Sequence, residues 1–252
     1  MNQEEVFLQK RIIDLANQSY RNNQFTFTPF LSQADQDVFY KSLSSLSGIS
    51  YEMSGGVEGC DRQMVRFGNS DDLGYEEPFP IVCIQISPRL LKYAENLSHR
   101  DYLGSLMNLG IERDTMGDIQ IKEKTAYLFC HEKVAEYITE HLDKVRHTNV
   151  KCDILDTFPQ AVLPTLASER LIVSSVRMDL VIAKIYHLSR NDSILLFRQK
   201  KIFANGRLME NNSAVLKQGD VISVRGYGKF IFDGVSQETK KGNLNINISR
   251  YV

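Results

Sequence analysis

The chain lacks nearly every signature that announces chemistry. Its four cysteines, Cys60, Cys83, Cys130 and Cys152, form no Cys-x-x-Cys pair, and none has a histidine at finger-like spacing. Cys83, Cys130 and Cys152 sit in strand-like apolar runs, which reads as buried, reduced thiols in a reducing cytosol. The five histidines show no paired metal spacing. There is no Gly-x-Ser-x-Gly. Gly55-Gly56-Val57-Glu58-Gly59 lacks both the Lys-Ser/Thr of a phosphate loop and the spacing of a dinucleotide fingerprint, so it reads as a turn. No stretch reaches the roughly 20 apolar residues of a membrane span. The opening Met1-Asn2-Gln3-Glu4-Glu5 has no apolar core of a signal peptide, so secretion is not expected. Neither a metal nor an organic cofactor is expected.

What is present is an uneven charge. The 252 residues carry a net charge of −1. Residues 172–252 hold 13 Lys/Arg against 6 Asp/Glu, a net of +7. Residues 1–171 hold 17 against 25, a net of −8. A basic end on an acidic body is the profile of a protein that grips a polyanion with one module. The acidic part is repelled by phosphate except at local basic spots such as Arg62 and Arg66, or Arg100 and Arg113.

Three segments are expected. Residues 1–74 form an α/β subdomain, with a helix from Glu5 to Tyr20 and a second opened by Thr28-Pro29 as N-cap and N1. Residues 75–171 alternate β-α-β-β-α-β, the order of the ferredoxin-like fold that RNA-recognition modules use. Its third strand offers Tyr127 and Phe129 for base stacking, but no full RNA-recognition signature, and core packing suits Phe129 better. Residues 172–252 give helix, turn, helix, then a hairpin sheet. Ser189 and Asp192 make a capping pair, and Asn205-Gly206 is the strongest hairpin signal in the chain. The fold class is α+β.

The last segment resembles an S4 domain, a small RNA-binding module. The matching residues are Arg177-Met178-Asp179, Ser189-Arg190, Ile202-x-Ala204-Asn205-Gly206 and Gly219-Asp220-x-Ile222. One departure is Lys200, which stands where the family usually has a glycine. The rest of the chain resembles the YlmH family, through Ser98 to Arg113, Gly117-Asp118-Ile119, Phe30-Leu31-Ser32 and Ser54 to Gly59. The resemblance implies an N-terminal subdomain, an RRM-like middle domain and a C-terminal S4 domain. It implies a cytoplasmic factor of ribosome-associated quality control. Such a factor binds the rRNA of a large subunit that still holds peptidyl-tRNA, with ribosomal proteins as further contacts, and supports tailing of the stalled chain. The family's link to cell division rests largely on gene neighbourhood.

The expected RNA-contacting residues are Arg177, Ser189, Arg190, Lys200, Lys201, Asn205, Gly206, Arg225 and Lys229. Arg177 and Arg190 are suited to fork onto phosphate oxygens. Asp179 is expected to orient Arg177 or cap its helix. No catalytic residue is expected. His99-Arg100-Asp101 matches a kinase triplet by accident, since Asp101 suits the N3 position of a helix capped by Ser98. The alternatives are an S4-anchored RNA-modifying enzyme and a division factor acting through protein contacts.

Overall fold

The computed structural model describes residues 3–46, 48–239 and 242–252. The chain forms two compact units, Met1–Leu163 and Pro164–Val252.

The first unit opens with helices and a small sheet: α1 (Gln3–Asn22), β1 (Thr26–Phe27), α2 (Gln33–Ser42), β2 (Tyr51–Ser54), β3 (Met64–Phe67) and α3 (Ser70–Leu73). The strands pair antiparallel in the order β1-β3-β2. Ile12, Ala16, Leu31, Phe39, Val65 and Phe67 close a core between helices and sheet. Thr28-Pro29 does not open α2. Thr28 donates its N–H to Val65 O and accepts from Val65 N through Oγ1 at 2.8 Å, which holds the segment extended beside β3. The cap is Ser32, in a capping box with Asp35. That Ser-x-x-Asp pattern was readable in the sequence.

There follow β4 (Ile81–Pro88), α4 (His99–Asn108), β5 (Met116–Lys122), β6 (Thr125–His131), α5 (Glu132–His141), β7 (Lys144–Val145) and β8 (Thr148–Leu155). The sheet order is β5-β6-β4-β8-β7, all antiparallel. Leaving out the short β7, this is the ferredoxin-like order, as expected. Between β4 and α4 the chain makes a 3-10 turn at Leu91–Tyr93. The capping box of Ser98 and Asp101 is present, and Gly110 at φ +81° ends α4.

One face of this sheet packs Ile84, Ile86, Ala126 and Leu128 against Tyr102 and Leu106 of α4 and Ala135 and Ile138 of α5. The opposite face presents Cys83 and Phe129. These are covered by Phe30, Cys60 and Met64 of the N-terminal segment and by Val162, and Phe129 is fully buried. The glycines of the Ser54–Gly59 turn make this approach possible. A Cβ on Gly56, which sits at φ +102°, would lie 2.5 Å from Phe129 Cδ1. The N-terminal segment is therefore packed onto the face an RNA-recognition module uses for bases, and the two segments expected as separate domains form one unit.

The second unit contains β9 (Leu166–Val173), α6 (Met178–Ile185), α7 (Arg190–Arg198), β10 (Ile202–Ala204), β11 (Arg207–Leu208), β12 (Val221–Val224), β13 (Gly228–Glu238) and β14 (Leu244–Tyr251). The antiparallel sheet runs β11-β10-β12-β13-β14-β9. It is larger than the hairpin sheet expected, because β9 pairs with β14 along its whole length, from Leu166↔Tyr251 to Val173↔Leu244. A boundary at 172 would cut β9, so the unit begins at Pro164 instead. The added residues bring one Arg and one Glu, and the net charge of +7 is unchanged. Val181, Ile182, Ile185, Leu196 and Phe197 of the helices bury Ile202, Ile222, Val224, Phe230, Ile246 and Ile248 of the sheet.

Candidate nucleic-acid interface

Asp179 organises the helical side of the second unit. It is fully buried and takes both arms of the Arg177 guanidinium, with Nε 3.1 Å from Oδ1 and Nη2 2.8 Å from Oδ2. Oδ2 also accepts from Asn212 Nδ2 at 3.1 Å, and the Asp179 carbonyl accepts from Ser193 Oγ at 2.7 Å. One residue thus ties α6 to α7 and to the 211–215 loop. Arg177 keeps about a third of its side chain exposed, at 31%. Its fork is occupied by a carboxylate, so the orienting role expected of Asp179 holds and Arg177 is first a structural residue.

Ser189 caps α7, accepting from Asp192 N at 3.1 Å and donating to Asp192 Oδ2 at 2.7 Å. Its hydroxyl is committed to the turn. Arg190, at N1 of α7, is exposed. At the far end of α7, Lys200 N donates to Phe197 O at 2.9 Å and Lys201 N to Leu196 O at 3.0 Å. This is a Schellman ending with Lys200 in the left-handed region at φ +55°. The position that the resemblance marks for glycine does require left-handed backbone, and a lysine fills it here.

Asn205 and Gly206 have φ of +50° and +75°, the two positive values of a type I′ turn. The Asn205 side chain faces inward: Nδ2 donates to Asp220 Oδ1 at 2.9 Å, and Oδ1 accepts from Val221 N at 2.9 Å. The two turn motifs, Asn205-Gly206 and Gly219-Asp220, thus hold each other.

The remaining cations lie on the sheet face away from the helices. Arg225 N donates to Lys201 O at 2.9 Å, which places β10 and the end of β12 side by side. The Arg225 guanidinium lies over the Phe203 ring at 4.7 Å. One strand further, Lys229 pairs with Ser223 and its Nζ lies 5.2 Å from the Tyr251 ring. Lys201, Arg225 and Lys229 therefore alternate with Phe203 and Tyr251 across four strands. Neither aromatic was singled out from the sequence. The period-2 alternation of Lys201 with Phe203, and of Ser223 with Arg225, is the signal that marks them as sharing one face.

Unit 1 corrects the local basic spots. Arg62 donates to the carbonyls of Phe30 at 2.8 Å, Arg113 at 3.0 Å and Met116 at 2.8 Å. Burial, together with Arg113, lowers its pKa to about 10. Arg113 bonds the carbonyls of Met116 and Gly117, and Asp118 accepts from the backbone of Asp61 and Arg62. Arg66 is held between Phe25 and Phe79. These arginines fasten the N-terminal segment to the middle sheet. Only Arg100 of that group is exposed.

Burial pushes the Cys83, Cys130 and Cys152 thiols up to about 12, which suits inert core residues. Among the described residues, no group of His, Cys, Asp and Glu could hold a metal ion. No helix among them is long and apolar enough to cross a membrane.

Residues 76–157 match the family model described as the putative RNA-binding domain in YlmH. The chain is 26% identical over 247 residues to the ribosome-associated protein quality control protein P2 of Bacillus subtilis, covering 96% of this chain and 91% of that protein. A solved structure, the cell division protein ylmH from Streptococcus pneumoniae, aligns at 20% identity with a TM-score of 0.49 over 62% of this chain and 93% of its own. The domain match and the near-full-length similarity point to the same proteins as the motifs at Phe30–Ser32, Ser54–Gly59 and Ser98–Arg113: residues 76–157 are similar to the YlmH RNA-binding domain, and the chain as a whole is similar to the Bacillus protein.

Proposed function

We propose that the chain is a non-enzymatic RNA-binding factor. In this reading it associates with the large ribosomal subunit carrying peptidyl-tRNA and supports rescue and tailing of the stalled nascent chain in the cytoplasm. Unit 2 is its S4-type grip. The observation that carries the reading is the run of Lys201, Arg225 and Lys229 interleaved with aromatics on one sheet face, together with exposed Arg190 at the start of α7 on the helical side. Cations aligned on one sheet face, one of them held by stacking on Phe203, suit a phosphate backbone. The ribosomal setting is supported by the name of the Bacillus relative.

The enzymatic alternative calls for a pocket with converging reactive groups. A cleft of about 530 Å³ lies beside α1 and α2, lined by residues such as Phe7, Leu8, Phe30, Arg11, Asp35 and Asp114. Its polar lining is Glu4, Glu5, Asp35, Asp114 and Arg11, with no Ser, Cys, His or Lys, so a hydroxyl, thiol or amine nucleophile paired with a histidine base is not assembled there.

The test is cosedimentation of the full chain with purified large subunits. Arg190→Glu with Lys201→Glu should abolish association while the unfolding midpoint stays near that of the wild type. Unchanged cosedimentation of that variant would refute the basic face as the grip.

A further inference from the structure

The matched RNA-binding segment raises a problem of placement. Its sheet face is the surface on which bases stack in modules of this topology. Here Phe129 is buried under Phe30, Cys60 and Met64 and meets Phe158 edge-on at 5.4 Å, and Tyr127 packs against the same cluster. RNA bound by this segment has to use another surface.

The end of the sheet where β4 leaves and β8 enters provides one. The turn Arg89-Leu90-Leu91-Lys92-Tyr93 crosses it, with Leu90 and Leu91 each 66% exposed and Tyr93 73% exposed. Large apolar side chains so exposed on a floppy loop would be unremarkable. This turn is instead held rigid. Lys124 Nζ donates to Leu91 O at 3.3 Å and to Ala94 O at 2.8 Å. Glu95 N donates to Thr148 Oγ1 at 3.1 Å, and Glu95 Oε2 accepts from His147 N at 3.0 Å. Arg89 is fixed by its N–H to Asn149 O at 2.9 Å and by Nε to Val150 O at 3.0 Å. A rigid exposed apolar surface loses little freedom when it is covered, which favours binding.

The chemistry of the patch selects its occupant. Lys92 Nζ sits 5.6 Å from the Tyr93 ring, so a cation and an exposed aromatic face are presented together. The cleft between Tyr93, Leu90, Arg89 and the His147–Asn149 corner has a volume of about 260 Å³. That is below the roughly 300–1,000 Å³ of pockets that enclose a small molecule, and it suits one residue of a polymer laid across it. Of the neighbouring carboxylates, Asp101 is paired with Arg146 at 3.2 Å, and Glu95 turns its Oε2 onto the backbone N–H of His147 at 3.0 Å.

We propose that this cleft binds single-stranded RNA, with a base stacked on Tyr93 and the adjoining phosphates held by Arg89 and Lys92. The site rests on the RNA-binding reading of residues 76–157 and is separate from the basic face of unit 2.

The test uses full-length protein already carrying Arg190→Glu and Lys201→Glu, so that the unit 2 grip is disabled. A fluorescein-labelled single-stranded RNA of twelve uridines is titrated and then cross-linked by ultraviolet light. A uridine adduct is expected on the peptide containing Tyr93. Tyr93→Ala, and Arg89→Glu with Lys92→Glu, should each weaken Kd on the order of five- to a hundredfold. Tyr93→Phe should keep both adduct and affinity, Tyr93→Ala should keep its unfolding midpoint, and Lys92→Glu alone, which leaves the Arg89 bond to Val150 O in place, should keep its midpoint and weaken Kd in the same direction. Unchanged Kd in both loss variants would overturn the proposal, as would adducts confined to the sheet face around Tyr127. Cross-linking of the Tyr93 peptide in large subunits to a ribosomal protein and not to RNA would overturn it in favour of a protein partner. Failure of the unit 2 reading shows separately, as wild-type cosedimentation of the Arg190→Glu, Lys201→Glu parent.

Discussion

Arg177 and Asp179 form a two-armed ion pair in which the carboxylate is fully buried and the guanidinium reaches the surface. The asymmetry fixes what each substitution does. Removing the arginine leaves a buried carboxylate held by Asn212 Nδ2 and the Leu180 N–H, with no cation opposite it. Arg177→Ala should therefore destabilise unit 2 by on the order of 3 kcal/mol, the lower end of the range for breaking a buried pair. Urea unfolding of the full chain measures it. A midpoint equal to the wild type would show that Arg177 is not structural, and would return it to the set of free phosphate ligands.

Lys200 holds a left-handed backbone that costs an L-residue about 1–2 kcal/mol relative to glycine. Lys200→Gly relieves this, while the freer unfolded chain takes back part of the gain. A net stabilisation of about 0.5–1 kcal/mol is expected, read as a rise in melting temperature. If the ammonium contacts a phosphate, the same variant should bind RNA more weakly, and the magnitude of its salt slope should fall by about 0.7–0.9. The two effects have opposite signs, so one variant separates a backbone role from a charge role.

These two sites show where sequence is legible. Local rules sufficed for the Asn205-Gly206 turn, the Ser98 and Ser189 caps and the β-α-β-β-α-β order, because each is encoded within a few residues. The non-local facts were not legible. Alternation in Thr125–His131 indicates two apolar faces, but not that Phe30 and Met64 lie on the second one. Arg62 and Arg113 look like surface charge until their backbone carbonyl partners, distant in sequence, are known. The reach of β9 along β14 depends on a pairing across about 80 residues, for which the sequence between Leu166 and Val173 carries no register mark.

His131 gives the first unit a dependence on pH. It is the N-cap of α5, and its Nδ1 accepts from Lys133 N at 3.2 Å. Burial, and then the charge of Lys133, hold its pKa below the ordinary imidazole value. The unfolded chain therefore binds this proton more readily than the folded one. The stabilisation is fully present above about pH 6.5 and is lost as pH falls through the lower folded value. A protonated ring also cannot accept the capping bond. His131→Asn keeps an acceptor at the cap without titrating. Its melting temperature should fall less than that of the wild type between pH 7.5 and 5.5. An equal fall in both would remove His131 as the cause.

Arg225 tests whether the sheet face of unit 2 is a grip or only a surface. Its guanidinium lies on Phe203, a ring that is 2% exposed although it faces away from the helical core. Part of that burial comes from the arginine, so Arg225→Ala removes packing as well as charge. Arg225→Lys keeps the charge and loses the planar stack, and should cost under about 1 kcal/mol of stability. Comparison of the two isolates the electrostatic part. Arg225→Ala with Lys229→Ala should reduce the magnitude of the salt slope for RNA binding by about 1.4–1.8, or 0.7–0.9 per lost phosphate contact. Arg225→Lys should leave the slope at its wild-type value. A double alanine variant that binds more weakly but keeps the full slope would mean that the face acts through shape or stacking. The phosphate contacts would then have to lie on the helical side, at Arg190 and Lys200, where the same pair of measurements can be repeated.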